Sequence, residues 1–377
     1  NEASFDSFMY PTAYNDEMEI TRYFDFTFID SNEFFAVDNW SKKIEDLVAD
    51  GVVYAVISSD EEDLLKIRTR LKSNDCNHNR ILFVVSEHFV DIEKIAFEYN
   101  AVKLLKSNVA DDDLLSDEYD IYIEDLEEVI SKYINSFTKP ELGLAEYYWN
   151  GERQQFKRRA QISAKLSEIC EAIYEFTPII NNESLNKDVL PTVAINSRNK
   201  ILNGLLENEL SVNLGLTGTG QEVSFMRSAL IQTGILQNKS DYAELNLTPT
   251  DKNMSLVLRV IKEFFEATDN QGKNLGALYK ILTEPQIGFG NPYNGDTTLP
   301  SHGYGLKKGV IPIYIAVVFH AYKKYTVVKS KGEELRITVD LLNSINDNPN
   351  DFTLYREDWN DEKAAYIENL EELFSCE

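Results

Sequence analysis

The stretch GLTGTGQE, residues 215–222, begins like a phosphate-binding loop, with two glycines separated by four residues. A P-loop continues with a lysine that neutralises the β- and γ-phosphates, and then with a Ser or Thr whose hydroxyl binds Mg²⁺. Gln221 and Glu222 stand at those two positions, and neither supplies that chemistry. The pattern instead predicts a turn, a helix capped by Thr219, and an end to that helix at Gly234.

Cysteine and histidine side chains offer one further candidate site. Cys76 and His78 have the spacing of half a zinc site, but no second pair of ligands follows. The four histidines are scattered, and His320 is expected to be a hydrogen-bonded core residue. No Ser–His–Asp or Cys–His spacing is recognisable. The sequence therefore predicts no catalytic residue, no metal site and no cofactor.

A cluster of lysines is the third candidate. The whole chain has 63 acidic and 37 basic residues, a net charge of −26, which disfavours nucleic acid as a partner. Residues 297–332, however, contain six lysines and no acidic residue. A local positive field can bind phosphates even when the total charge is negative. The lysines predicted to contact the phosphate backbone of duplex DNA are Lys307, Lys308, Lys323, Lys324, Lys329 and Lys331.

The elements that would position these lysines follow from residues 305–356. A strongly apolar helix is predicted from Ile311 to Phe319, and YTVVKSKGEELRI predicts two short strands joined by a tight turn near Lys331 and Gly332. Two helices followed by a two-stranded ribbon are typical of a winged helix. Because the helix is too apolar to read DNA, we expect it in the core, with the wing on the phosphates. The alternative is a winged helix that contacts protein.

The N-terminal part of the chain has a different pattern. Residues 1–138 hold 31 acidic and 12 basic residues. An alternating aromatic segment predicts an N-terminal strand, and apolar runs at 52–57, 81–85 and 101–105 alternate with helical patterns. This order predicts a small doubly wound α/β domain. Its acidic residues are expected to form a solvated face, since no glycine-rich fingerprint follows any strand.

The middle of the chain is predicted to be mainly helical. A long amphipathic helix is expected from Pro140 to Phe176, interrupted at Gly151, with a basic cluster on one of its turns. That cluster consists of Arg153, Lys157, Arg158 and Arg159. The predicted fold class is thus α/β plus mainly α. The expected domains are an acidic α/β domain (1–138), a helical region (139–296), and a winged-helix-like module with a closing helix (297–377).

Length and composition limit the class of protein and the number of domains. A chain of 377 residues with 43% hydrophobic residues is globular and has room for two or three domains. Three widely spaced cysteines predict a cytoplasmic protein, and no apolar run is long enough for a membrane span. The chain opens with NEASF, without Met or a signal sequence, so we expect it to be a piece of a longer protein.

The segments GTGQEVSFMRSALIQTG, YGLKKGVIPIYIAVVFHAYKKYTVV and NDNPNDFTLY resemble a region of very large bacterial P-loop ATPases of the BREX type, which are linked to phage defence. The resemblance covers about residues 195–360. It implies a role in a defence complex on DNA. In that family the ATPase motifs lie outside this region, so the resemblance carries over no catalytic residue, and it leaves the acidic half unexplained.

The sequence thus predicts a non-catalytic scaffold or DNA-contacting part of a larger bacterial ATPase. Two alternatives stay open. One is a protein-interaction module whose acidic half binds a basic partner. The other is an enzyme that binds a small molecule or a phosphate in its α/β half.

Overall fold

The structure of this chain is a computed structural model. It describes residues 7–108, 113–268, 271–285 and 302–357. The chain divides into two compact units, residues 1–15 with 22–171 and residues 16–21 with 172–377. The fold is mixed α/β, as predicted. Among the described residues, no helix combines the length and the apolar composition that a membrane crossing requires.

The first part of the chain contains a sheet and the helices that cover it. Its strands and helices are β1 (Phe8–Met9), α1 (Thr12–Met18), β2 (Phe24–Asp30), α2 (Ser31–Ala36), α3 (Trp40–Lys43), β3 (Gly51–Ile57), α4 (Glu61–Leu71), β4 (Ile81–Ser86), α5 (Ile92–Asn108), α6 (Asp113–Ser136), β5 (Ala145–Trp149), β6 (Glu152–Gln154) and α7 (Arg159–Ile173).

These six strands lie in the order β1 to β6 across one sheet. β2, β3 and β4 run parallel, β1 pairs antiparallel with β2, and β5 and β6 add an antiparallel hairpin beside β4. The sheet is therefore mixed. Ser86 at the end of β4 pairs with Ala145 at the start of β5, although two long helices separate them in the sequence.

Both faces of the central strands are buried, as expected for parallel strands covered by helices. Tyr54 and Val56 of β3 lie in one apolar cluster with side chains of α2, α3 and α4. Alternate residues of a strand point to opposite faces, so Ala55 faces the other side. There Phe28, its register partner, contacts Phe137 after the end of α6, with ring centroids 5.6 Å apart.

The third predicted strand, residues 101–105, is wrong. These residues lie in α5, which packs antiparallel on α6 through a small apolar cluster of its own. Val102 faces that cluster, whereas Leu104 and Leu105 are 66% and 49% exposed. A short apolar run is typical of a buried strand only when all of its apolar side chains are covered, and here Leu104 and Leu105 are not.

The long helix predicted from 140 to 176 is also only partly right. Residues 145–154 form β5 and β6, so the sheet continues past residue 138, and α7 begins at Arg159. The hairpin turns at Asn150 and Gly151, whose φ angles of 49° and 80° are those of a type I′ turn. Arg153 lies on β6, 3.0 Å from a carboxylate oxygen of Glu146, so the predicted basic cluster is not one helical turn.

The second unit is mainly helical, with two small sheets. Its elements are α8 (Thr192–Leu206), α9 (Gln221–Met226), β7 (Leu236–Asn238), β8 (Ala243–Leu245), α10 (Lys252–Glu266), β9 (Lys273–Asn274), α11 (Leu275–Thr283), α12 (Ile311–Ala321), β10 (Thr326–Ser330), β11 (Glu333–Leu335), α13 (Val339–Asp347) and β12 (Thr353–Arg356). The closing helix predicted near the C-terminus, and residues 297–301 of the lysine-rich stretch, lie outside the described residues.

Helix α12 is the centre of this unit. Every residue from Ile311 to Phe319 is buried, and α8, α10 and α13 pack around the helix. This burial confirms that the apolar helix belongs to the core, and it leaves α12 without a face that could enter a DNA groove. A four-stranded sheet in the order β11-β10-β12-β9 completes the unit, and the β10–β11 hairpin forms its edge.

Candidate nucleic-acid interface

The β10–β11 hairpin carries the tight turn expected from the sequence. Ser330 pairs with Glu333, so the loop consists of Lys331 and Gly332 alone. Their φ angles are 51° and 87°. Positive φ at both loop residues defines the type I′ turn, whose twist matches that of a two-stranded ribbon. The turn holds the exposed side chain of Lys331 at the tip of the hairpin.

Lys329 lies one pair behind the tip, opposite Glu334 in the register. It is half-buried, and its ammonium group lies 5.0 Å from the centroid of the Tyr355 ring on β12. A cation above a tyrosine face is held in place without losing its charge. The stem of this lysine is therefore fixed against the sheet.

Lys323 and Lys324 follow the last turn of α12, and both are exposed. The ammonium group of Lys323 donates hydrogen bonds to the Asn208 backbone carbonyl and side-chain oxygen, at 3.2 and 3.1 Å. Cations are stabilised near the C-terminus of a helix, where carbonyl groups point outward. These two lysines therefore lie at a favourable position for positive charge.

Lys307 does not lie on an exposed surface. Its ammonium group lies 3.0 Å from Asp188, and the residue as a whole is 8% exposed. Lys308 is half-buried, and its backbone N–H donates to the same carboxylate at 3.1 Å. Lys307 therefore differs from the hairpin lysines, because it is buried and its charge is neutralised by Asp188. Contact of the other five lysines with DNA stays a prediction.

One basic residue near the hairpin was missed by the sequence reasoning. Arg336 follows β11, is exposed, and lines a cavity of about 300 Å³ together with Lys323 and His320. It escaped notice because two glutamates interrupt the positive stretch before it. Residues 323–336 hold five basic and two acidic side chains, so the net charge of the segment is positive.

His320 is one of the residues that line this cavity. Its Nδ1 lies 2.8 Å from the backbone carbonyl oxygen of Leu205 and donates to it. Burial lowers the pKa of His320, the hydrogen bond to Leu205 opposes this shift, and the charge of Lys323 adds a smaller lowering effect, so that the pKa lies below its usual value. The expected hydrogen bond of His320 is confirmed, but the residue is half-buried and does not belong to the core.

The loop at residues 215–220 does not have the geometry of a phosphate cradle. Helix α9 begins at Gln221 with Gly220 as its N-cap, rather than with Thr219 as predicted. The carboxylate of Glu222 lies so near that a Cβ at Gly220 would meet it at 2.8 Å. Lys200 donates to Glu222 at 2.8 Å and lowers its pKa. A carboxylate therefore lies at the start of this helix, where a P-loop binds phosphate.

Helix α9 does not continue as a regular α-helix. Residues Arg227–Ile231 form a π-helical turn. Gly234 follows with a φ of 78°, so the predicted end of the helix is confirmed. The widened turn belongs to the core: the Tyr314 hydroxyl of α12 donates to the carbonyl of Ala229 at 3.4 Å.

Cys76 and His78 in the first unit lie in different surroundings. Cys76 is buried in the core cluster under the sheet, where burial raises the pKa of its thiol to about 11. His78 accepts a hydrogen bond at Nδ1 from the backbone N–H of Arg80. Across the described ranges, no group of three or more His, Cys, Asp or Glu side chains is placed to hold a metal ion.

Comparisons with models of protein families, with curated proteins and with solved structures found no match for this chain.

Proposed function

We propose that the second unit contacts the phosphate backbone of duplex DNA through the β10–β11 hairpin, as the non-catalytic arm of a larger protein. The observation that carries the proposal is the two-residue turn at the tip of this hairpin. A two-residue turn places Lys331 outermost, and Lys329 is held one pair behind it against Tyr355. Lysines on a fixed ribbon suit phosphate contact better than base reading, which needs donors and acceptors that reach base edges.

The proposed module is a winged helix in which the hairpin is the wing. The order of α11, α12, β10 and β11 supports this assignment. Its apolar second helix is core, so the wing and the segment after α12 make the contacts. In a chain with a net charge of −26, the contact is weak and strongly sensitive to salt.

The larger protein proposed here is a bacterial phage-defence ATPase of the BREX type, in line with the sequence resemblance. Within such an assembly the hairpin supplies a positive contact, while nucleotide hydrolysis is carried out elsewhere. An acidic chain binds DNA weakly on its own. A second DNA-binding part in the same assembly would strengthen the contact, because it raises the effective concentration of DNA near the hairpin.

A fluorescence anisotropy titration of a labelled 20-base-pair duplex tests the proposal at several salt concentrations. We expect binding at low salt, and a slope of log K against log salt of roughly −3 to −4, since each neutralised phosphate contributes about −0.9. The double substitution K329E/K331E should abolish binding.

A matched control changes the same total charge on the same unit. Lys239 follows β7 and Lys252 opens α10, so K239E/K252E adds the same negative charge away from the β10–β11 hairpin. It should weaken binding far less than K329E/K331E. Equal losses in the two variants, or unchanged affinity in K329E/K331E, would overturn the proposed contact.

A further inference from the structure

We propose that the α5–α6 hairpin of the first unit is a docking surface for a basic amphipathic helix of another protein. The first observation concerns three polar contacts that lie on one side of the hairpin. Tyr99 accepts a hydrogen bond from Lys103 at 2.9 Å and donates one to Glu127, and Lys106 forms an ion pair with Asp120. These bonds close one side of the two-helix contact.

The other side of the contact is apolar and exposed. Successive residues of a helix are rotated by about 100°. With the polar contacts on one side, Leu105 of α5 and Tyr122 and Val129 of α6 emerge on the opposite side. They are 49%, 45% and 44% exposed. We call this the apolar side of the hairpin. Phe97, Leu104, Leu114 and Ile121 are also exposed, on the faces of α5 and α6 that point away from the contact between the two helices.

The shape of this surface favours a helix as its occupant. Two antiparallel helices present a shallow groove between them, and a third helix that fills it completes a three-helix bundle. The hairpin's own apolar cluster is small, with four buried side chains among its described residues. A third helix in this groove would cover Leu105, Tyr122 and Val129 and enlarge that cluster.

The charges on this surface select the sign of the partner. Helix α6 has eight acidic residues and one lysine. Glu118 and Asp125 emerge on the apolar side among the exposed side chains, and both are exposed. The lysines of that side, Lys94 and Lys132, lie at the base of the hairpin. A partner with Lys or Arg beside its apolar stripe would pair with the two acids.

The same charges disfavour two other occupants. A second copy of this chain would bring two more acidic residues, its own Glu118 and Asp125, into the interface, and like charges in an interface oppose binding. The C-terminal residues 358–377 hold seven acidic residues and one lysine, so they would be repelled as well. The partner is therefore a different and basic chain. This inference does not depend on DNA binding by the second unit.

The test uses a synthetic peptide of about 18 residues, in which Leu and Lys alternate with helical period, titrated against the full chain by fluorescence anisotropy. A Leu/Glu peptide of the same pattern is the charge control. We expect the Leu/Lys peptide to bind and the Leu/Glu peptide not to bind. Substitution L105S/V129S should weaken binding at least tenfold, and so should E118K/D125K.

Substitution of two exposed apolar residues elsewhere in the chain distinguishes docking at this surface from nonspecific binding of the peptide to apolar side chains. L65S/V193S removes Leu65 of α4 and Val193 of α8, 61% and 70% exposed, and should change the affinity less than twofold. Because E118K/D125K leaves the apolar residues intact, it tests the surface even if L105S/V129S fails to fold.

Several outcomes would overturn the inference. One is the absence of peptide binding, and another is equal binding to all variants. A third is a dimer in sedimentation velocity that L105S/V129S converts to monomer, since that would identify a second copy as the occupant.

Discussion

The ammonium group of Lys307 lies 3.0 Å from a carboxylate oxygen of Asp188, and a tenth of the lysine side chain is exposed. The same aspartate accepts the backbone N–H of Lys308, and the N–H of Gly309 donates to the carbonyl of Lys187. Three contacts thus join the segment before α12 to the segment before α8. A lysine that the sequence assigns to DNA instead holds the unit together.

Substitution of Lys307 should therefore affect stability rather than DNA binding. We expect K307M to lower the free energy of unfolding by about 1–2 kcal/mol, because it leaves Asp188 without its cation. The salt dependence of DNA binding should stay unchanged. Urea unfolding and the anisotropy titration measure the two effects separately. The exposed Lys324 gives the reverse control, K324M, and a fall in DNA affinity for K307M alone would contradict this assignment.

The buried pair of Arg22 and Asp50 should be far more sensitive. The two side chains are 1% and 5% exposed and 2.8 Å apart, and Asp50 also accepts the backbone N–H of Tyr23 at 3.0 Å. D50A removes the buried carboxylate that pairs with the Arg22 guanidinium, so we expect a loss of about 3–5 kcal/mol in urea unfolding.

The control for this pair is Glu62, whose ion pair with Lys66 is largely exposed. E62A should cost less than about 0.5 kcal/mol, since exposed pairs are screened by water. Similar losses of unfolding free energy in D50A and E62A would show that the buried pair of Arg22 and Asp50 does not stabilise the fold more than an exposed ion pair does.

The stability of the first unit should depend on pH through His78. Burial, and secondarily the charge of Arg80, lower the pKa of His78 to about 4. The unfolded chain takes up this proton near pH 6.5 and the folded chain only near pH 4. The free energy of unfolding should therefore be complete above pH 6.5 and fall as the pH drops towards 4. After allowance for partial exposure of the ring, we expect about 1–2 kcal/mol.

Urea unfolding of wild type and H78Q at pH 7, 6 and 5 measures this dependence. The curve for H78Q should be shallower between pH 6.5 and 5, since glutamine does not titrate. H88Q removes an exposed histidine from the same unit and should run parallel to wild type. Parallel curves for wild type and H78Q would show that His78 is not responsible.

Addition of Mg²⁺ and ATP should leave the melting temperature unchanged. Glu222 occupies the start of α9 and is bonded to Lys200, so a phosphate would meet a carboxylate there. A ligand present at 100 times its Kd would stabilise a site by about 2.7 kcal/mol, which differential scanning fluorimetry detects easily. A clear rise in Tm would revive the enzyme interpretation.

Elements with regular periodicity could be predicted from the sequence. The strands at 52–57 and 81–85 and the helices α10, α11 and α12 all lie where the apolar spacing places them. The tight turn at Lys331 and Gly332 was also predictable, because a residue followed by glycine between two β-rich segments favours a type I′ turn.

Two local patterns were misread. Nothing in the sequence at 101–105 indicates that Leu104 and Leu105 are exposed. The spacing of apolar residues in so short a run therefore does not distinguish a strand from a helix. The β5–β6 hairpin carried a clear signal in Asn150 and Gly151 between aromatic and polar residues. Helical spacing further along the chain obscured that signal.

The candidate interface was less predictable than the fold. The ion pair of Lys307 with Asp188 joins residues far apart in the sequence, and no local pattern reports such a contact. The cation–π contact of Lys329 with Tyr355 depends on the pairing of β10 with β12, which α13 separates in the chain. Charge composition indicates where lysines are, whereas only the tertiary fold decides which of them reach solvent.

The pairing of Ser86 with Ala145 has a consequence for how this protein can vary. The chain leaves the sheet after β4 and returns beside the same strand at β5. Helices α5 and α6 are therefore an insertion between two adjacent antiparallel strands, which a short turn could also connect. Beyond its base near Phe137, the α5–α6 hairpin does not determine the order of the strands. Its reach can therefore lengthen or shorten by whole helical turns among related chains while the sheet beneath it is preserved.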